Sequence, residues 1–273
     1  MEKRSTTRNN GMSPMLKAVI AAVKLVAAEE VMPRYLKVTH QRKSDGSLCT
    51  EADTAAQAAL TRKLQAIFNV PVLGEEMPSE EQHAIWLSGN DGLWCVDPID
   101  GTSNFVRGLP YFAVSVALLR EGKSVLGVVY DPVGDEMFAA ELGKGAFLNG
   151  EPLLGREPVG SMDQALANVD LKRLSLHLVE RLVTHPPYCS QRNFGASALD
   201  WCYTAAGRYD LYLHGGQKLW DYAAGLLVLR EAGGHVCCIE CDDFAQGDVW
   251  RRSVIAARDA KLFEEWKNWI RSV

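Results

Sequence analysis

Long apolar runs, low-complexity tracts and a strong excess of one charge are all missing from this sequence, and each absence excludes a class of protein. No uncharged apolar stretch approaches about 18 residues, so no membrane span is predicted. With 34 acidic and 29 basic side chains, the chain has a formal net charge of −5, which excludes a polybasic nucleic-acid binder. Hydrophobic residues make up 47% of the chain, as in globular proteins, which excludes a disordered or collagen-like chain.

A disulfide framework is missing too. The number of cysteines, seven, is odd, and four of them are scattered along the chain: Cys49, Cys95, Cys189 and Cys202. This distribution predicts reduced thiols in a cytoplasmic protein. The segment 237–241 holds the other three, including one C-x-x-C pair, but a closed zinc site needs a second pair with matching spacing. Structural thiols are therefore favoured there over a redox or metal-binding role.

The sequence pattern predicts one domain, because no linker or internal repeat divides the chain. We predict a flexible tail for residues 1–11. For residues 12–273 we predict a single domain of two packed halves, about 12–150 and 151–273. Apolar residues at helical spacing predict helices at about 13–35, 51–68, 172–184, 197–207, 221–232 and 259–271. Short apolar runs predict strands at about 70–73, 93–96, 209–213, 235–239 and 252–257, with an antiparallel meander at 112–149. Mixed sheets layered with helices follow from this order.

Acidic residues stand where the predicted strands end or helices begin. They form three clusters: Glu75 with Glu76, Asp97 with Asp100, and Asp221. Carboxylates that converge beside a core repel each other and need a cation, and oxygen ligands favour a hard ion such as Mg²⁺. Residues 101–102 then offer free backbone N–H groups that suit a phosphate. The alternative for residues 97–101 is an exposed turn that only caps a helix.

Four ordered motifs carry a resemblance to a known family. They are D-P-I-D-G-T-S-N-F-V-R-G-L-P at 97–110, W-D-Y-A-A-G at 220–225 followed by E-A-G-G at 231–234, G-E-E at 74–76 and T-E-A-D at 50–53. Together they resemble the signatures of the inositol monophosphatase family over about residues 13–271. The resemblance implies a layered αβαβα sandwich of the inositol monophosphatase and fructose-1,6-bisphosphatase type. It also implies a homodimer and sensitivity to lithium.

The resemblance further implies a role for each residue of the site. Two or three Mg²⁺ ions would be held by side chains and one backbone carbonyl: Glu75, Asp97, Ile99 (through its carbonyl), Asp100 and Asp221. The attacking water would be oriented by three catalytic residues: Glu75, Thr102 and Asp53. Substrate would be bound by a third set: Asp100, Gly101, Thr102, Ser103, Gly195, Ala196, Ser197, His214 and Asp221.

The sequence departs from the inositol-preferring relatives at His214. Those relatives carry a glutamate seven residues before the aspartate that matches Asp221, where it accepts hydrogen bonds from ring hydroxyls. A neutral imidazole offers only one donor and one acceptor, so a strict preference for inositol is not predicted. The alternative is a surface histidine without any ligand contact. Gln191 and Arg192 are further candidate substrate contacts, and Asp200 is expected either to approach the substrate or to orient Arg192.

These features predict Mg²⁺-dependent hydrolysis of a small phosphate monoester, an inositol monophosphate-like sugar or polyol phosphate, by in-line attack of water. Neither nucleic acid nor membrane is an expected partner. Alternative substrates within the same class of enzyme are histidinol phosphate, fructose 1,6-bisphosphate and adenosine 3′,5′-bisphosphate. An alternative of another class is a catalytically silent regulatory scaffold.

Overall fold

The structure, a computed structural model, describes residues 11–37, 39–43 and 48–272. All but one residue of the predicted tail (1–11) lie outside this part of the chain, as do residues 38, 44–47 and 273. Two short strands, β1 (His40–Arg42) and β2 (Leu48–Thr50), pair as an antiparallel hairpin that leads into the first long helix after it.

A seven-stranded sheet occupies the first half of the chain. Its strands are β3 (Val72–Gly74), β4 (Leu93–Asp100), β5 (Ala113–Arg120), β6 (Lys123–Asp131), β7 (Glu136–Glu141), β8 (Gly145–Leu148) and β9 (Glu151–Pro152). They lie in sequence order, and only β3 and β4 are parallel neighbours. The predicted antiparallel meander is confirmed from β5 to β8.

A five-stranded mixed sheet occupies the second half. Its strands are β10 (Leu166–Asp170), β11 (Ser190–Arg192), β12 (Leu211–Gln217), β13 (His235–Cys237) and β14 (Arg252–Ala257). Their order across the sheet is β11-β10-β12-β14-β13. Strand β10 runs parallel to both neighbours, and β14 runs antiparallel to both of its own. The carboxyl ends of β10 and β12 therefore open onto the same edge of this sheet.

Helices cover and separate the two sheets. Their bounds are α1 (Pro14–Val26), α2 (Glu51–Ile67), α3 (Ser79–Ser88), α4 (Thr102–Arg107), α5 (Leu176–Thr184), α6 (Ser197–Ala205), α7 (Leu219–Glu231) and α8 (Ala260–Arg271). Helices α1 and α2 pack on one face of the first sheet, α6 and α7 lie between the sheets, and α5 and α8 pack on the outer face of the second. The predicted αβαβα sandwich is confirmed. Among the described residues, no helix is long and apolar enough to cross a membrane.

Local chemistry explains where several elements begin and end. Asp53 and Thr50 form a capping box at the start of α2, and Ser175 caps α5 by accepting a hydrogen bond from Leu178 N. The helix predicted from 172 therefore begins at 176. The helix predicted to reach 35 leaves α-geometry after 26, because a π-turn and then a 3₁₀ turn lead up to and include Pro33, which lacks an N–H donor.

Candidate metal and phosphate site

Three carboxylates from two sequence-distant segments meet at the edge of the first sheet. Asp97 and Asp100 lie at the end of β4, where the register against β5 shifts between them because Pro98 cannot donate a ladder hydrogen bond. Asp221 lies in the first turn of α7, where its Oδ2 accepts a hydrogen bond of 2.8 Å from Lys218 N. One oxygen from each carboxylate lies within 4.8 Å of the others. The predicted convergence therefore has a compact geometry.

The electrostatics of this carboxylate cluster fit a bound cation. Burial raises the pKa of Asp97 and Asp100 well above the ordinary range, and the neighbouring carboxylates add to it. Burial likewise raises the pKa of Asp221 to about 7. Oxygen-only donors that repel each other in a buried place suit a hard divalent ion, which removes the repulsion. The exposed-turn alternative for residues 97–101 is wrong, since Asp97 is 1% exposed.

Glu75 lies beside this cluster and contacts a lysine that the sequence analysis did not single out. It follows β3, its N–H donates to Val96 O, and its carboxyl group shares a hydrogen bond with Asp97. Lys43 Nζ lies 2.9 Å from Glu75 Oε1 and 2.6 Å from Glu76 Oε1. Burial raises the pKa of Glu75, although the Lys43 charge opposes the effect. Lys43 thus forms ion pairs with both Glu75 and Glu76.

Thr102 and Asp53 lie together next to the cluster. Thr102 Oγ1 is 3.4 Å from Asp53 Oδ1 and 3.0 Å from Ile99 O. The other oxygen of Asp53 accepts hydrogen bonds from the Thr50 N–H at 2.7 Å and from its hydroxyl at 2.6 Å. Burial raises the pKa of Asp53 to about 6 against the effect of these bonds. The threonine hydroxyl is therefore held between two acceptors and faces the same cavity as the carboxylates.

A cavity of about 230 Å³ contains most of the predicted site residues. It is lined by Glu75, Asp97, Ile99, Asp100, Gly101, Thr102, Ser103, Gly195, Ser197, His214 and Asp221, together with Leu48, Asp170, Lys172, Arg173, Lys218 and Trp220. Gly101 has φ +89°, and a Cβ there would lie 3.1 Å from the Ala196 side chain, so only glycine fits this turn. Ala196 itself is fully buried and is absent from the cavity lining, so its role as a substrate contact stays a prediction.

The comparisons with known proteins agree with this geometry. The model of the inositol monophosphatase family matches residues 11–270. This chain belongs to that family. It is 37% identical over 232 residues to the inositol-1-monophosphatase of Rhizobium meliloti, with 82% of this chain and 83% of that protein covered. It is 34% identical over 270 residues to the Nus factor SuhB of Haemophilus influenzae, covering 95% and 97%.

Solved structures of family members have the same fold. The extragenic suppressor protein suhB of Bartonella henselae matches with a TM-score of 0.81 at 28% identity, covering 95% of this chain and 99% of that one. The IMPase of Thermotoga maritima matches with a TM-score of 0.78 at 29% identity, covering 94% and 100%. The family consists of metal-dependent phosphatases, and the buried carboxylate cluster of this member is consistent with that chemistry.

His214 of this family member is buried in the cavity wall, so its interpretation as a surface histidine is wrong. It is 4% exposed, and its Nδ1 accepts a hydrogen bond of 3.1 Å from Gly216 N, which assigns the ring proton to Nε2. Nε2 lies 3.6 Å from Oδ2 of Asp170, its register partner on β10. Burial lowers the pKa of His214 to about 4, with Arg173 and Lys172 contributing against the opposing effect of Asp170. A neutral imidazole therefore faces a carboxylate.

Three other candidate contacts lie outside the cavity lining. Gln191 donates through its side chain to Val169 O, and the exposed Arg192 donates to Ser190 Oγ and to a backbone carbonyl. Asp200 is buried and accepts a hydrogen bond of 2.8 Å from the Tyr111 hydroxyl. From outside the cavity lining, the charge of Asp200 adds to the raised pKa of Asp100.

The His214–Asp170 pair leads to a prediction. In His214→Glu, a second carboxylate replaces the neutral imidazole opposite Asp170 in a buried place. We expect the variant to lose about 2–3 kcal/mol of unfolding free energy at pH 8, because two like charges then repel each other in a buried place. Urea unfolding of wild type and variant measures the loss. Adding Asp170→Asn should recover most of it, and an equal loss in the double variant would show that repulsion is not the cause.

Proposed function

We propose that this chain is a Mg²⁺-dependent phosphatase that hydrolyses a small phosphate monoester, a sugar or polyol phosphate, to the alcohol and inorganic phosphate. The observation that carries the proposal is the cluster of Asp97, Asp100 and Asp221, whose oxygens lie within 4.8 Å of one another in a cavity. Membership of the inositol monophosphatase family supports it.

The residues that would hold the metal are those the family resemblance assigns. Two or three Mg²⁺ ions would take the three aspartates, Glu75 and the Ile99 carbonyl as oxygen ligands. When bound, Mg²⁺ lowers the pKa of water and stabilises negative charge on the leaving oxygen. Four of the 34 acidic residues behind the formal net charge of −5 belong to this site: Glu75, Asp97, Asp100 and Asp221. With metal bound, the site is therefore far less repulsive to phosphate than the net charge of the chain indicates.

The protein's own groups would position the water and the phosphate. Thr102 Oγ1 donates toward Asp53, which leaves its lone pairs free to accept a hydrogen bond from a water in the cavity. Asp53 and Glu75 are the carboxylates that would hold the proton released as water attacks, because the pKa of each is raised. Residues 101–103 line the cavity, and their backbone amides would donate to phosphate oxygens.

A second candidate function is that of a regulatory factor that binds another macromolecule. This regulatory function is supported by the names of several relatives with 34–36% identity, which are called Nus factor SuhB. Retention of the complete carboxylate cluster favours the phosphatase. The two functions are compatible. An Asp97→Asn protein would distinguish them, because it should lose phosphate release while still binding a macromolecular partner.

The experiment that tests the phosphatase is phosphate release from a panel of sugar, polyol and nucleotide phosphates. We expect turnover that EDTA abolishes and excess Mg²⁺ restores, with inhibition by millimolar lithium. Turnover in EDTA-treated protein would contradict metal dependence, and lithium insensitivity would contradict that part of the proposal. A homodimer, expected from the family resemblance, is measured by light scattering on the same preparation. The cytoplasmic assignment rests on the seven free thiols.

The pH dependence of the metal-free protein gives a further prediction. Asp221 and Asp53 have folded-state pKa values of about 7 and about 6, above their unfolded value of 3.8, so ionisation opposes folding. The contribution of these two protonated groups to the free energy of unfolding is fully present below pH 4, and it is lost as the pH rises toward 7. In EDTA, the melting temperature should fall by about 5 °C or more between pH 5 and pH 8. A metal-free melting temperature that rises over this range would contradict the assigned electrostatics.

A further inference from the structure

Three positive side chains line the cavity that contains the three aspartates, and we call the solvent-exposed part of the wall that they form its mouth. Lys172 and Arg173 stand in the connection from β10 to α5, and Lys218 stands just before α7. All three line the cavity and are exposed to solvent. Nothing in the proposed hydrolysis of a monoester uses them. Their position makes them available to the part of a substrate that extends out of the cavity.

The fold holds this connection against β12 through two glycines. A Cβ on Gly215 would lie 2.3 Å from the Arg173 carbonyl group, and one on Gly216 would lie 3.5 Å from Arg173 Cδ and 3.1 Å from Arg251 Cγ. A backbone with any side chain at Gly215 would displace the connection. We call the three cations that line the cavity, Lys172, Arg173 and Lys218, the mouth cations.

The mouth cations form no ion pairs within the part of the chain that the structure describes. None of the three side chains has a carboxylate oxygen within ion-pair distance there. The carboxylate nearest in sequence, Asp170, is already engaged: Oδ1 accepts a hydrogen bond of 2.7 Å from Lys172 N, and Oδ2 faces His214. Their unneutralised charge reaches the site, since Arg173 and Lys218 oppose the burial that raises the pKa of Asp221. Unpaired cations around an acidic cavity indicate an anionic ligand group.

We propose that the mouth cations bind a second anionic group on the alcohol half of the substrate, so that the preferred substrates are phosphate monoesters bearing a further phosphate or carboxylate. This inference rests on the proposed phosphatase function and names its substrate class. A guanidinium and two ammonium groups suit phosphate and carboxylate oxygens, whereas they repel a protonated amine. Among the alternative substrates, the mouth cations thus favour bisphosphates and disfavour histidinol phosphate.

Matched pairs of substrates test this inference. Fructose 1,6-bisphosphate is compared with fructose 1-phosphate, and 2-phosphoglycerate with glycerol 2-phosphate, by kcat and KM in Mg²⁺. The doubly anionic member of at least one pair should have a kcat/KM about tenfold higher, mainly through KM, and added KCl should reduce the ratio. A preference in the first pair alone identifies a second phosphate, and one in both pairs identifies anions in general. Ratios near one in both pairs would overturn the inference.

Variants assign the preference to the residues. Arg173→Gln and Lys172→Gln should each lower the ratio, while Arg173→Lys should keep most of it, because a merely structural role would not be rescued by charge. Lys261→Gln removes an exposed cation at the start of α8, on the opposite edge of the second sheet, and should leave the ratio unchanged. An unaltered ratio in both glutamine variants would overturn the assignment.

Calorimetric titration of the same four compounds separates this inference from the proposed function. If wild type releases no phosphate from any of them, the phosphatase proposal fails, and the compounds stay intact for binding measurements. A tighter Kd for the doubly anionic members, weakened in Arg173→Gln, then still supports the mouth cations as an anion site. Equal Kd values within both pairs would overturn it.

Discussion

Asp97→Asn should abolish phosphate release and, at the same time, make the metal-free protein more stable. Asp97 is buried between Asp100, Asp221 and Glu75, and their charges together with burial raise its pKa. Loss of one carboxylate removes a metal ligand, and several kcal/mol of transition-state stabilisation correspond to a decrease in kcat of about 10³-fold or more. The same change relieves repulsion in the empty cluster, so the melting temperature in EDTA at pH 8 should rise.

Opposite signs in the two measurements make this prediction specific. A variant that simply misfolds would lose both activity and stability, whereas removal of a metal ligand separates them. The matched control is Asp131→Asn: Asp131 is also a buried aspartate at a strand end of the first sheet, but its Oδ1 accepts hydrogen bonds from Val133 N and Gly134 N outside the cavity. That control should keep its turnover. Phosphate release by Asp97→Asn within tenfold of wild type would refute the metal-ligand assignment.

The pair of Asp97 and Asp100 could be predicted from the sequence because its chemistry is local. Strand β4 is buried at every position, Pro98 interrupts its pairing, and the two aspartates lie within one four-residue segment around it, so their convergence depends on one turn. Asp221 comes from a distant segment, and its place beside them was predicted from the family resemblance. Lys43 could not be predicted, since its contact with Glu75 joins positions 32 residues apart through a hairpin with no apolar pattern.

The elements that the sequence analysis missed have weak local signals. Helix α3 (Ser79–Ser88) has no apolar stripe, and Gln82 is its buried residue, held by hydrogen bonds to Gly74 O and Glu75 O. Strand β10 is five residues long and ends in Asn168, Val169 and Asp170, which are poor strand formers apart from the valine. The burial of His214 likewise depends on the continuation of β12 through a bulge after residue 214. The two glycines that follow His214 do not indicate a strand, so this continuation could not be predicted.

The second large effect that we expect is a decrease in kcat of about 10²-fold in Asp53→Asn. Asp53 is fully buried. Among the described residues, its hydrogen-bond partner that lines the cavity is Thr102, whose hydroxyl is 3.4 Å away. An asparagine can still accept from Thr102, but it cannot hold a proton. The substitution also weakens the capping box at Thr50, so a loss of about 1 kcal/mol in stability should accompany the kinetic effect.

A double-variant cycle distinguishes a shared proton path from two independent contributions. If Thr102 and Asp53 act as one unit, Thr102→Val should lower kcat by a similar factor, and the double variant should be no slower than the worse single one. Thr50→Val serves as the matched control, because it removes the helix cap while leaving the contact between Asp53 and Thr102 in place. It should lose stability without the hundredfold kinetic decrease. Multiplying effects in the double variant would mean that Asp53 and Thr102 contribute independently, and the Thr102 hydroxyl would then be oriented by the Ile99 carbonyl, its nearer acceptor at 3.0 Å.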